Sequence, residues 1–457
     1  MSSLRESNDY DALIIGGGVT GLTIGHTLAR RGLRTRILEK GDRPGGAVRS
    51  ERRDGFLCEE GPNSMLVKSE AVWRFIHDLG LEKDLQEANS SADKRFLVRK
   101  GRLVALPQSI VGGITTPLYN PLQKLRLLAE PFIGKSNLSD ESVTAFVSRR
   151  MGPAFLEYGI SALVSGIFAG DPDRLSLRHA FPKVWNLEQN YGSLIGGAVK
   201  LKRERKRAGI QPWKSRMVSF REGLEQLVEA LARESTLELE TGTALRSIQR
   251  EDSGRWRVAT ETASLTSRHL VCAVPLSVLH DLPFSEAERP LIDSIPKLEH
   301  PPLSTLVLGF DRDQITHPLD GFGVLFPRLE NRFALGCIFS TTLFPGRAPE
   351  GKVSLMCFIG GVQQPENGSL PTPELVKRTV DDLRPLLGIQ GEPTFHSHRF
   401  WPAAIPQYNV GHEFFLKSLE DAESALPGLA IRGNFRGGPG LSDCIDHSLE
   451  FAGSLKA

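Results

Sequence analysis

A glycine-rich run near the amino terminus has the spacing that a nucleotide diphosphate requires. Gly16-Gly17-Gly18-Val19-Thr20-Gly21 satisfies the pattern G-x-G-x-x-G, and Glu39 follows it by eighteen residues. Glycines permit a tight turn and let backbone N–H groups approach a diphosphate, while a carboxylate accepts hydrogen bonds from a ribose diol. We therefore predict dinucleotide binding by Gly16, Gly17, Gly18, Val19, Thr20, Gly21, Glu39 and Lys40.

The residues around the glycine run have the pattern of a strand, a helix and a second strand. Residues 12–15 form a short apolar run, as expected for a strand that is buried on both faces of a parallel sheet. Residues 22–31 carry apolar side chains at helical spacing and end at Gly32, and residues 35–38 form the strand that delivers Glu39. Because all these parts occur in register, we expect a Rossmann-like unit.

Two nearby segments resemble the cofactor-lining segments of amine-oxidase-like flavoproteins. Arg43-Pro44-Gly45-Gly46-Ala47-Val48-Arg49-Ser50 is similar to the R-x-G-G-R-x-x-S/T segment that lines FAD there, although Ala47 stands where a second arginine is usual. Glu59-Glu60-Gly61-Pro62-Asn63-Ser64 resembles the E-x-G-P-N-S/T segment of the haem-pathway oxidases, whose turn lies against the flavin. The resemblance implies FAD contacts from Gly46, Ala47, Arg49, Gly61, Pro62, Asn63 and Ser64.

Motifs along the rest of the chain resemble the protoporphyrinogen and coproporphyrinogen oxidases of haem biosynthesis. Arg95-Phe96-Leu97, followed by Gly101-Arg102-Leu103 and Leu106-Pro107, is similar to one block of that family. Ser165-Gly166-Ile167-Phe168-Ala169-Gly170-Asp171-Pro172 is similar to a second block. The similarity continues at residues 321–325, 343–349 and 433–444, so it covers nearly the whole chain.

This resemblance implies roles for individual residues. In the family an arginine pairs with a propionate, two apolar residues clamp a pyrrole ring from opposite faces, and a glycine carbonyl faces the ring nitrogens; the matching residues are Arg95, Leu325, Phe344 and Gly166. Further FAD contacts are implied for Leu245, Trp401, Pro439, Gly440 and Leu441. No acid–base residue is implied, because the flavin itself accepts a hydride. Residues 401–408 contain no cysteine, so we expect non-covalent FAD.

The domain organisation is predicted to be discontinuous, because 457 residues exceed one ordinary core. We expect an α/β, Rossmann-like FAD-binding domain from residues 9–84, 215–283 and 418–457. Residues 85–106, 181–214 and 284–417 are expected to form an α+β substrate domain with antiparallel strands at 306–310, 333–339 and 353–359. Residues 107–180 are expected to be a helical insertion that, in the family, associates with one face of a membrane.

Composition and charge limit the partners. The 56 basic and 54 acidic side chains give a net charge of +2, which offers no reason to expect nucleic acid. Five cysteines without a C-x-x-C pair suggest no metal site and a reducing compartment. The first residues leave no room for a signal peptide, so we expect a cytoplasmic protein, peripheral on the inner face of the membrane. The resemblance implies a porphyrinogen and O2 as partners and allows the next haem-pathway enzyme and a second copy of the chain.

Several functions remain open at this stage. Protoporphyrinogen IX is favoured as substrate because residues 59–64 and 180–197 look closest to the plant-like branch, with coproporphyrinogen III as the alternative. An additional cation beside the slot would favour coproporphyrinogen, and the sequence does not locate Lys183, Arg328 or Arg347. Another amine-oxidase-superfamily oxidase or desaturase and a flavin-binding scaffold without catalysis are further alternatives.

Overall fold

The computed structural model describes residues 8–107 and 110–456. Its strands are β1 (Asp9–Ile15), β2 (Thr35–Leu38), β3 (Ser50–Arg53), β4 (Phe56–Glu59), β5 (Met65–Val67), β6 (Leu85–Glu87), β7 (Arg95–Arg99), β8 (Arg102–Ala105), β9 (Arg216–Phe220), β10 (Leu237–Glu240), β11 (Leu245–Arg250), β12 (Trp256–Thr260), β13 (Ser264–Cys272), β14 (Leu303–Asp311), β15 (Gly323–Leu325), β16 (Gly336–Phe339), β17 (Lys352–Gly360), β18 (Phe395–Trp401) and β19 (Leu429–Ile431).

The helices are α1 (Val19–Arg30), α2 (Glu70–Asp78), α3 (Ile110–Thr115), α4 (Pro121–Leu128), α5 (Val143–Arg150), α6 (Pro153–Phe155), α7 (Ser161–Phe168), α8 (Leu177–Ala180), α9 (Pro182–Tyr191), α10 (Leu194–Arg207), α11 (Glu225–Ala232), α12 (Leu276–Leu279), α13 (Arg289–Asp293), α14 (Ser340–Leu343), α15 (Pro365–Gly368), α16 (Thr372–Leu387), α17 (His412–Ala425) and α18 (Leu441–Ser454). A π-helical turn, Leu156–Ile160, leads into α7.

The first large sheet draws strands from all three segments that were expected to bind FAD. Its order is β10-β2-β1-β13-β12-β11, and β19 also pairs with β13. β10, β2, β1, β13 and β19 are parallel, while β11, β12 and β13 form an antiparallel meander. Ile14 of β1 pairs with Ile37 and Val271, and all three are fully buried. The sheet therefore has the mostly parallel, doubly covered form of a dinucleotide-binding fold.

Two elements of the first βαβ unit, β1 and α1, begin earlier than the apolar pattern predicts, whereas β2 has the predicted bounds. β1 begins at Asp9 because Asp9 and Tyr10 pair with Thr266 and Ser267 of β13, which the local sequence does not reveal. α1 begins at Val19, directly after the glycines. Leu22, Ile24 and Leu28 of α1 are fully buried in the core on one side of the sheet.

The second large sheet has one covered face and one face turned towards the nucleotide side. Its order is β18-β14-β17-β16-β15-β7-β8. α16 packs on the first face, where Leu375 and Leu383 join a core that includes Leu306, Leu355 and Phe339. Because successive side chains of a strand point to opposite faces, the strand residues between Leu306, Leu355 and Phe339 and their buried neighbours lie on the other face of the sheet, which is called the open face.

The strand expected at 333–339 is shorter than predicted. β16 begins only at Gly336, since the Phe333 and Ala334 N–H groups donate to Asp382 Oδ2 of α16 at 2.5 and 3.3 Å. A side-chain acceptor thus replaces the neighbouring strand. β14 and β17 contain the strands expected at 306–310 and 353–359 and extend beyond them.

The insertion expected at 107–180 carries α3 to α8, although Gln108 and Ser109 lie outside the described residues. Its core is apolar, and Phe146, Val164 and Phe168 are nearly fully buried. A group of large apolar side chains is exposed on its surface: Val111, Leu122, Leu125, Leu128 and Phe132. Across residues 8–107 and 110–456, no helix has both the length and the apolar character needed to span a bilayer.

Candidate active site

The glycine run forms the turn between β1 and α1, and Glu39 is bonded to it. The Gly17 N–H donates to Glu39 Oε2 at 2.6 Å, and the Gly41 N–H donates to Glu39 Oε1 at 2.7 Å. Gly16 has φ +103°, and a Cβ on Gly21 would lie 2.0 Å from the Gly16 carbonyl oxygen. Both positions therefore need glycine, one for conformation and one for close packing.

The 43–50 and 59–64 segments pack against this turn through backbone contacts. The Gly45 N–H donates to the Gly17 carbonyl at 2.7 Å. A Cβ on Gly61 would lie 2.0 Å from the Ala47 carbonyl oxygen, so the two segments touch at their backbones. The Glu60 N–H also donates to the Arg49 carbonyl at 2.9 Å. Three segments that were expected to line a cofactor are thus neighbours.

The glycine-rich segment before α18 is the fourth neighbour. α18 begins at Leu441, with Gly440 as its N-cap and no side-chain cap, so its first N–H groups are free to meet a ligand. α18 packs against α1 and β5. Tyr408 fixes the preceding turn, because its hydroxyl donates to the Asn434 carbonyl at 2.6 Å and accepts from the Gly438 N–H at 3.1 Å. Pro439, Gly440 and Leu441 therefore lie beside the other three segments.

Open space and unpaired polar groups along these segments fit a bound FAD. A Cβ on Gly18, the N-cap of α1, would meet no protein atom within 4 Å, and α1 has no side-chain cap. Its N–H groups can therefore receive a diphosphate. Asn63 is 7% exposed, and its Nδ2 has no hydrogen-bond partner among the described residues. Because a buried amide donor is normally paired, this donor fits a cofactor acceptor.

The remaining predicted cofactor residues lie at the edges of this region. The Thr243 N–H donates to the Glu39 carbonyl at 2.9 Å, which places the half-buried Leu245 at the start of β11 near the same strand ends. Lys40 is exposed, and Arg49 is half-buried. The positions of Lys40 and Leu245 suit the adenine and ribose end of a dinucleotide. Arg49 lies in the 43–50 segment instead, where its contact with FAD stays a prediction.

The open face of the second sheet brings together three of the four residues predicted to bind substrate, Arg95, Leu325 and Gly166. Arg95 pairs with Gly323 in the register of β7 and β15, so Arg95 and Leu325 lie on one face. Gly166 of α7 approaches the same place, because a Cβ on Gly166 would lie 2.5 Å from Leu325 Cδ2. The exposed guanidinium of Arg95 lies over the Phe322 ring, 5.3 Å from its centroid. Arg95, Leu325 and Gly166 thus lie together and form one wall of the candidate site.

This wall is attached directly to the 59–64 segment. Trp401 Nε1 donates to the Glu60 carbonyl at 2.8 Å, and Thr305 Oγ1 donates to the same oxygen at 2.7 Å. Thr305 lies on the open face, opposite Phe358. The substrate wall and the cofactor segments therefore form one continuous site, with the half-buried Trp401 at the junction.

Phe344 does not lie on the open face with Leu325. It is 1% exposed, and the Arg347 guanidinium lies 5.1 Å from its ring centroid. Its ring is therefore enclosed in the protein interior, and the role of a pyrrole clamp that the resemblance implies for Phe344 stays a prediction. Ile338 and Phe358 occupy the open face instead and are half-buried. Their positions follow from the register of β15, β16 and β17 and have no local sequence signal.

A buried ion pair lies behind the wall. Glu59 is 3% exposed and Arg347 is 2% exposed, with 3.8 Å between Glu59 Oε1 and Arg347 Nη1. Burial raises the pKa of Glu59 to about 7, although hydrogen bonds from Ser50 and Leu224 and the charge of Arg347 act in the opposite direction. Burial also lowers the pKa of Arg347. Desolvation therefore dominates both groups.

Comparison with known proteins agrees with this geometry. Residues 19–441 match the family described as flavin-containing amine oxidoreductases. Protoporphyrinogen oxidase 2, chloroplastic/mitochondrial, of Arabidopsis thaliana is 32% identical over 94% of this chain and 91% of the plant protein. Coproporphyrinogen III oxidase of Bacillus subtilis (strain 168) is 28% identical over 95% of both chains.

A solved structure is similar over the whole length. A crystal structure from Exiguobacterium sp. 255-15, provisionally named a protoporphyrinogen oxidase, superposes with a TM-score of 0.81 at 26% identity and covers 99% of both chains. The likeness extends from the nucleotide turn through the second sheet and the helical insertion.

Proposed function

Because this chain belongs to the family of flavin-containing amine oxidoreductases, and its cofactor is therefore FAD, we propose that it oxidises protoporphyrinogen IX to protoporphyrin IX in haem biosynthesis, with O2 as acceptor. The observation that carries the proposal is the wall on which Arg95, Leu325 and Trp401 meet Gly166 and the 59–64 segment. When bound, FAD accepts a hydride from a saturated bridging carbon of the substrate and passes the electron pair to the acceptor. With O2, each such pair yields one H2O2.

Arg95 has the features of a propionate anchor. Its neighbour Lys94 is paired with Asp320, whereas Arg95 contacts only an aromatic ring through its charge in the described part of the chain. A guanidinium can bind a carboxylate through two parallel hydrogen bonds, and the Phe322 ring limits its rotation. Arg95 therefore orients the macrocycle by one of its acidic groups.

The apolar residues of the wall suit the faces of a tetrapyrrole. Leu325, Ile338 and Phe358 present half-buried side chains on adjacent strands. Gly166 packs directly against Leu325, because a Cβ on Gly166 would lie 2.5 Å from Leu325 Cδ2, so any side chain there would displace this part of the wall. Gly166 also lies in the last turn of α7, where carbonyl groups lack intrahelical partners, so its oxygen can accept a pyrrole N–H.

Of the three candidate cations Lys183, Arg328 and Arg347, the two arginines are already paired with carboxylates, which favours a substrate with two carboxylates over one with four. Arg328 is 3.0 Å from Asp173 and 3.9 Å from Asp171, so its charge is already balanced. Arg347 is buried beside Glu59. Neither is free to bind the additional propionates of coproporphyrinogen III, which remains the alternative substrate because relatives carry both names.

The substrate choice is tested by comparing kcat/KM for the two porphyrinogens on enzyme normalised to bound FAD. Porphyrin fluorescence reports the product, and a peroxidase-coupled assay reports H2O2. We expect kcat/KM to be at least about tenfold higher for protoporphyrinogen, since each unpaired buried or desolvated carboxylate costs more than about 1 kcal/mol. A preference for coproporphyrinogen would overturn the substrate choice, and porphyrin without H2O2 would overturn the role of O2.

We also propose that the insertion binds an anionic membrane surface peripherally. Leu125 and Phe132 are 62% and 88% exposed on it, and α10 carries the basic run from Lys200 to Arg207. Sedimentation with phosphatidylglycerol vesicles should recover the wild type, and the Leu125→Glu/Phe132→Glu variant should remain in solution. Phe414→Glu, at a 71% exposed site on α17, is the control and should sediment normally. Equal sedimentation of both variants would remove the insertion from membrane binding.

Non-covalent attachment of FAD is part of the same proposal. Cys58 and Cys444 are the cysteines nearest in sequence to the predicted flavin contacts, at three residues from Gly61 and Leu441, and burial raises the pKa of both thiols to about 12. A thiol of this kind is a poor nucleophile. Acid precipitation should therefore release the flavin into the supernatant, and flavin that stays with the pellet would contradict non-covalent binding.

A further inference from the structure

Arg347 joins three separate segments behind the active-site wall. Its Nη2 donates to Ser219 Oγ at 2.6 Å, and its Nη1 faces Glu59 Oε1 at 3.8 Å. Its carbonyl accepts from the Leu57 N–H of β4 at 3.2 Å. One residue therefore ties the loop after α14 to both β4 and β9.

Glu59 transmits this connection to the cofactor side. It is the last residue of β4 and stands two residues before Gly61, where the segment with the unpaired Asn63 amide begins. Ser50 Oγ donates to Glu59 Oε2 at 2.6 Å, and the Leu224 N–H donates to Glu59 Oε1 at 3.0 Å. Its carboxylate is thus bonded on both oxygens and has one position.

Gly223 shows how closely this junction is packed. It has φ +92°, and a Cβ there would lie 2.3 Å from Ser50 Oγ and 2.9 Å from Glu59 Oε1. Only glycine therefore lets the Ser50 hydroxyl and the Glu59 carboxylate approach the backbone at this position. The junction is a close-packed contact between the 50–59 hairpin and the 219–224 turn.

On its other side Arg347 supports the substrate anchor. Its guanidinium lies 5.1 Å from the Phe344 ring centroid. Phe344 belongs to a small apolar cluster against which Phe322 packs, and Phe322 carries the guanidinium of Arg95 at 5.3 Å. The apolar cluster that contains Phe344, together with Phe322, is called the aromatic layer here, and it lies between the buried cation of Arg347 and the exposed cation of Arg95.

We propose that Arg347 is a positioning residue. It fixes the distance between the aromatic layer beneath Arg95 and strand β4, whose last residue, Glu59, leads into the cofactor segment. The inference rests on the proposed function, since it concerns the anchor for the substrate carboxylate. Arg347 touches neither substrate nor cofactor. Its effect passes through Phe344 and Phe322 in one direction and through Glu59 in the other.

The alternative role for Arg347 is to neutralise Glu59, and a double substitution separates the two roles. Arg347→Met alone would leave a buried carboxylate without its counter-ion, which destabilises the fold whatever else the arginine does. Glu59→Gln/Arg347→Met removes both charges, so it keeps charge balance while it loses the contacts of Arg347 with Ser219, Phe344 and Glu59. Arg347→Lys keeps the cation but loses the planar fork that reaches Ser219 and lies on Phe344.

The experiment measures three quantities for each variant: FAD per chain, the Kd for protoporphyrin IX from its fluorescence, and the anaerobic rate of flavin reduction by protoporphyrinogen per bound FAD. We expect wild-type FAD content in both variants. The Kd for protoporphyrin IX should rise at least threefold and the reduction rate should fall at least tenfold in the double variant, with intermediate values in Arg347→Lys. Arg332→Met/Asp382→Asn, which removes a pair at 3.5 Å on the far side of the sheet, is the matched control and should change neither value.

If the folded double variant has the wild-type Kd and reduction rate, the positioning role is overturned and charge balance is the role of Arg347 that remains. If that variant does not retain FAD, Arg347→Lys decides, and wild-type values in it would overturn the inference equally. A wild-type enzyme that no porphyrinogen reduces would refute the proposed function instead, and the Kd for protoporphyrin IX still reports on the anchor in that case.

Discussion

Gly18 offers a probe of the cofactor site that leaves the protein itself undisturbed. A Cβ on Gly18 would meet no protein atom within 4 Å, and its φ of −71° is one that alanine adopts readily. Gly18→Ala should therefore change the free energy of unfolding of the apoprotein by no more than about 0.5 kcal/mol. If the diphosphate of FAD lies against this turn, the added methyl group occupies its space.

The expected loss of affinity follows from the cost of overpacking. Forcing one additional methyl group into a filled site costs about 1–3 kcal/mol, which corresponds to a Kd for FAD about 5- to 150-fold higher. The assay is titration of apoprotein with FAD, followed by the quenching of flavin fluorescence, alongside urea unfolding of the apoprotein. Gly134→Ala is the matched control, since a Cβ there also meets nothing within 4 Å, and it should bind FAD normally.

Gly21→Ala provides the opposite behaviour in the same loop. Its Cβ would lie 2.0 Å from the Gly16 carbonyl oxygen, so this variant should lose stability even without FAD. An unchanged Kd for FAD in Gly18→Ala, with an intact fold, would refute the placement of the diphosphate at the start of α1.

Three further predictions concern the substrate anchor, the carboxyl-terminal turn and the buried carboxylate. Arg95→Ala should raise the KM for protoporphyrinogen about tenfold at constant FAD content, because the substrate carboxylate loses its charged partner. Lys94→Ala is the control and should leave the KM unchanged, since Lys94 is paired with Asp320. Equal effects of the two substitutions would remove Arg95 from the site. Tyr408→Phe should weaken FAD binding by about 1–2 kcal/mol or destabilise the 434–438 turn, because the Asn434 carbonyl and the Gly438 N–H both lose their partner. Tyr191→Phe is the control, since the Tyr191 hydroxyl donates to Glu204 at the surface. Glu59 has a pKa of about 7 in the folded state against 4.5 in the unfolded chain, so between these pH values the folded state keeps a proton that the unfolded state has released. The free energy of unfolding should therefore fall by about 3 kcal/mol as pH rises from 4.5 through 7. Glu59→Gln should remove this component in urea titrations, and an unchanged pH dependence would contradict the raised pKa.

The parts of the fold that depend on neighbouring residues could be predicted from the sequence. The glycine turn, its flanking strands and Glu39 lie within about thirty residues, so spacing alone specifies their arrangement. The contact of Gly166 with Leu325 spans a long sequence separation and was implied only by resemblance. A helical insertion was expected as well, and α3 to α8 lie within residues 107–180.

The parts that depend on pairing between distant strands could not be predicted. Ile338 and Phe358 reach the open face only through the register of β15, β16 and β17, and a shift of one residue would reverse both. Phe344 was assigned to the site by resemblance alone, and only the fold shows that its ring is buried beside Arg347. Arg347 itself was a candidate substrate cation, and only the fold shows that its partner is Glu59.

Porphyrinogen oxidation by the bound flavin is measured by anaerobic mixing of the FAD-loaded protein with protoporphyrinogen IX. We expect the visible absorption of the oxidised flavin to disappear while porphyrin fluorescence rises, and we expect the flavin spectrum to return when air is admitted. A flavin spectrum unaffected by either porphyrinogen, or purified protein that takes up no FAD on reconstitution, would contradict the account.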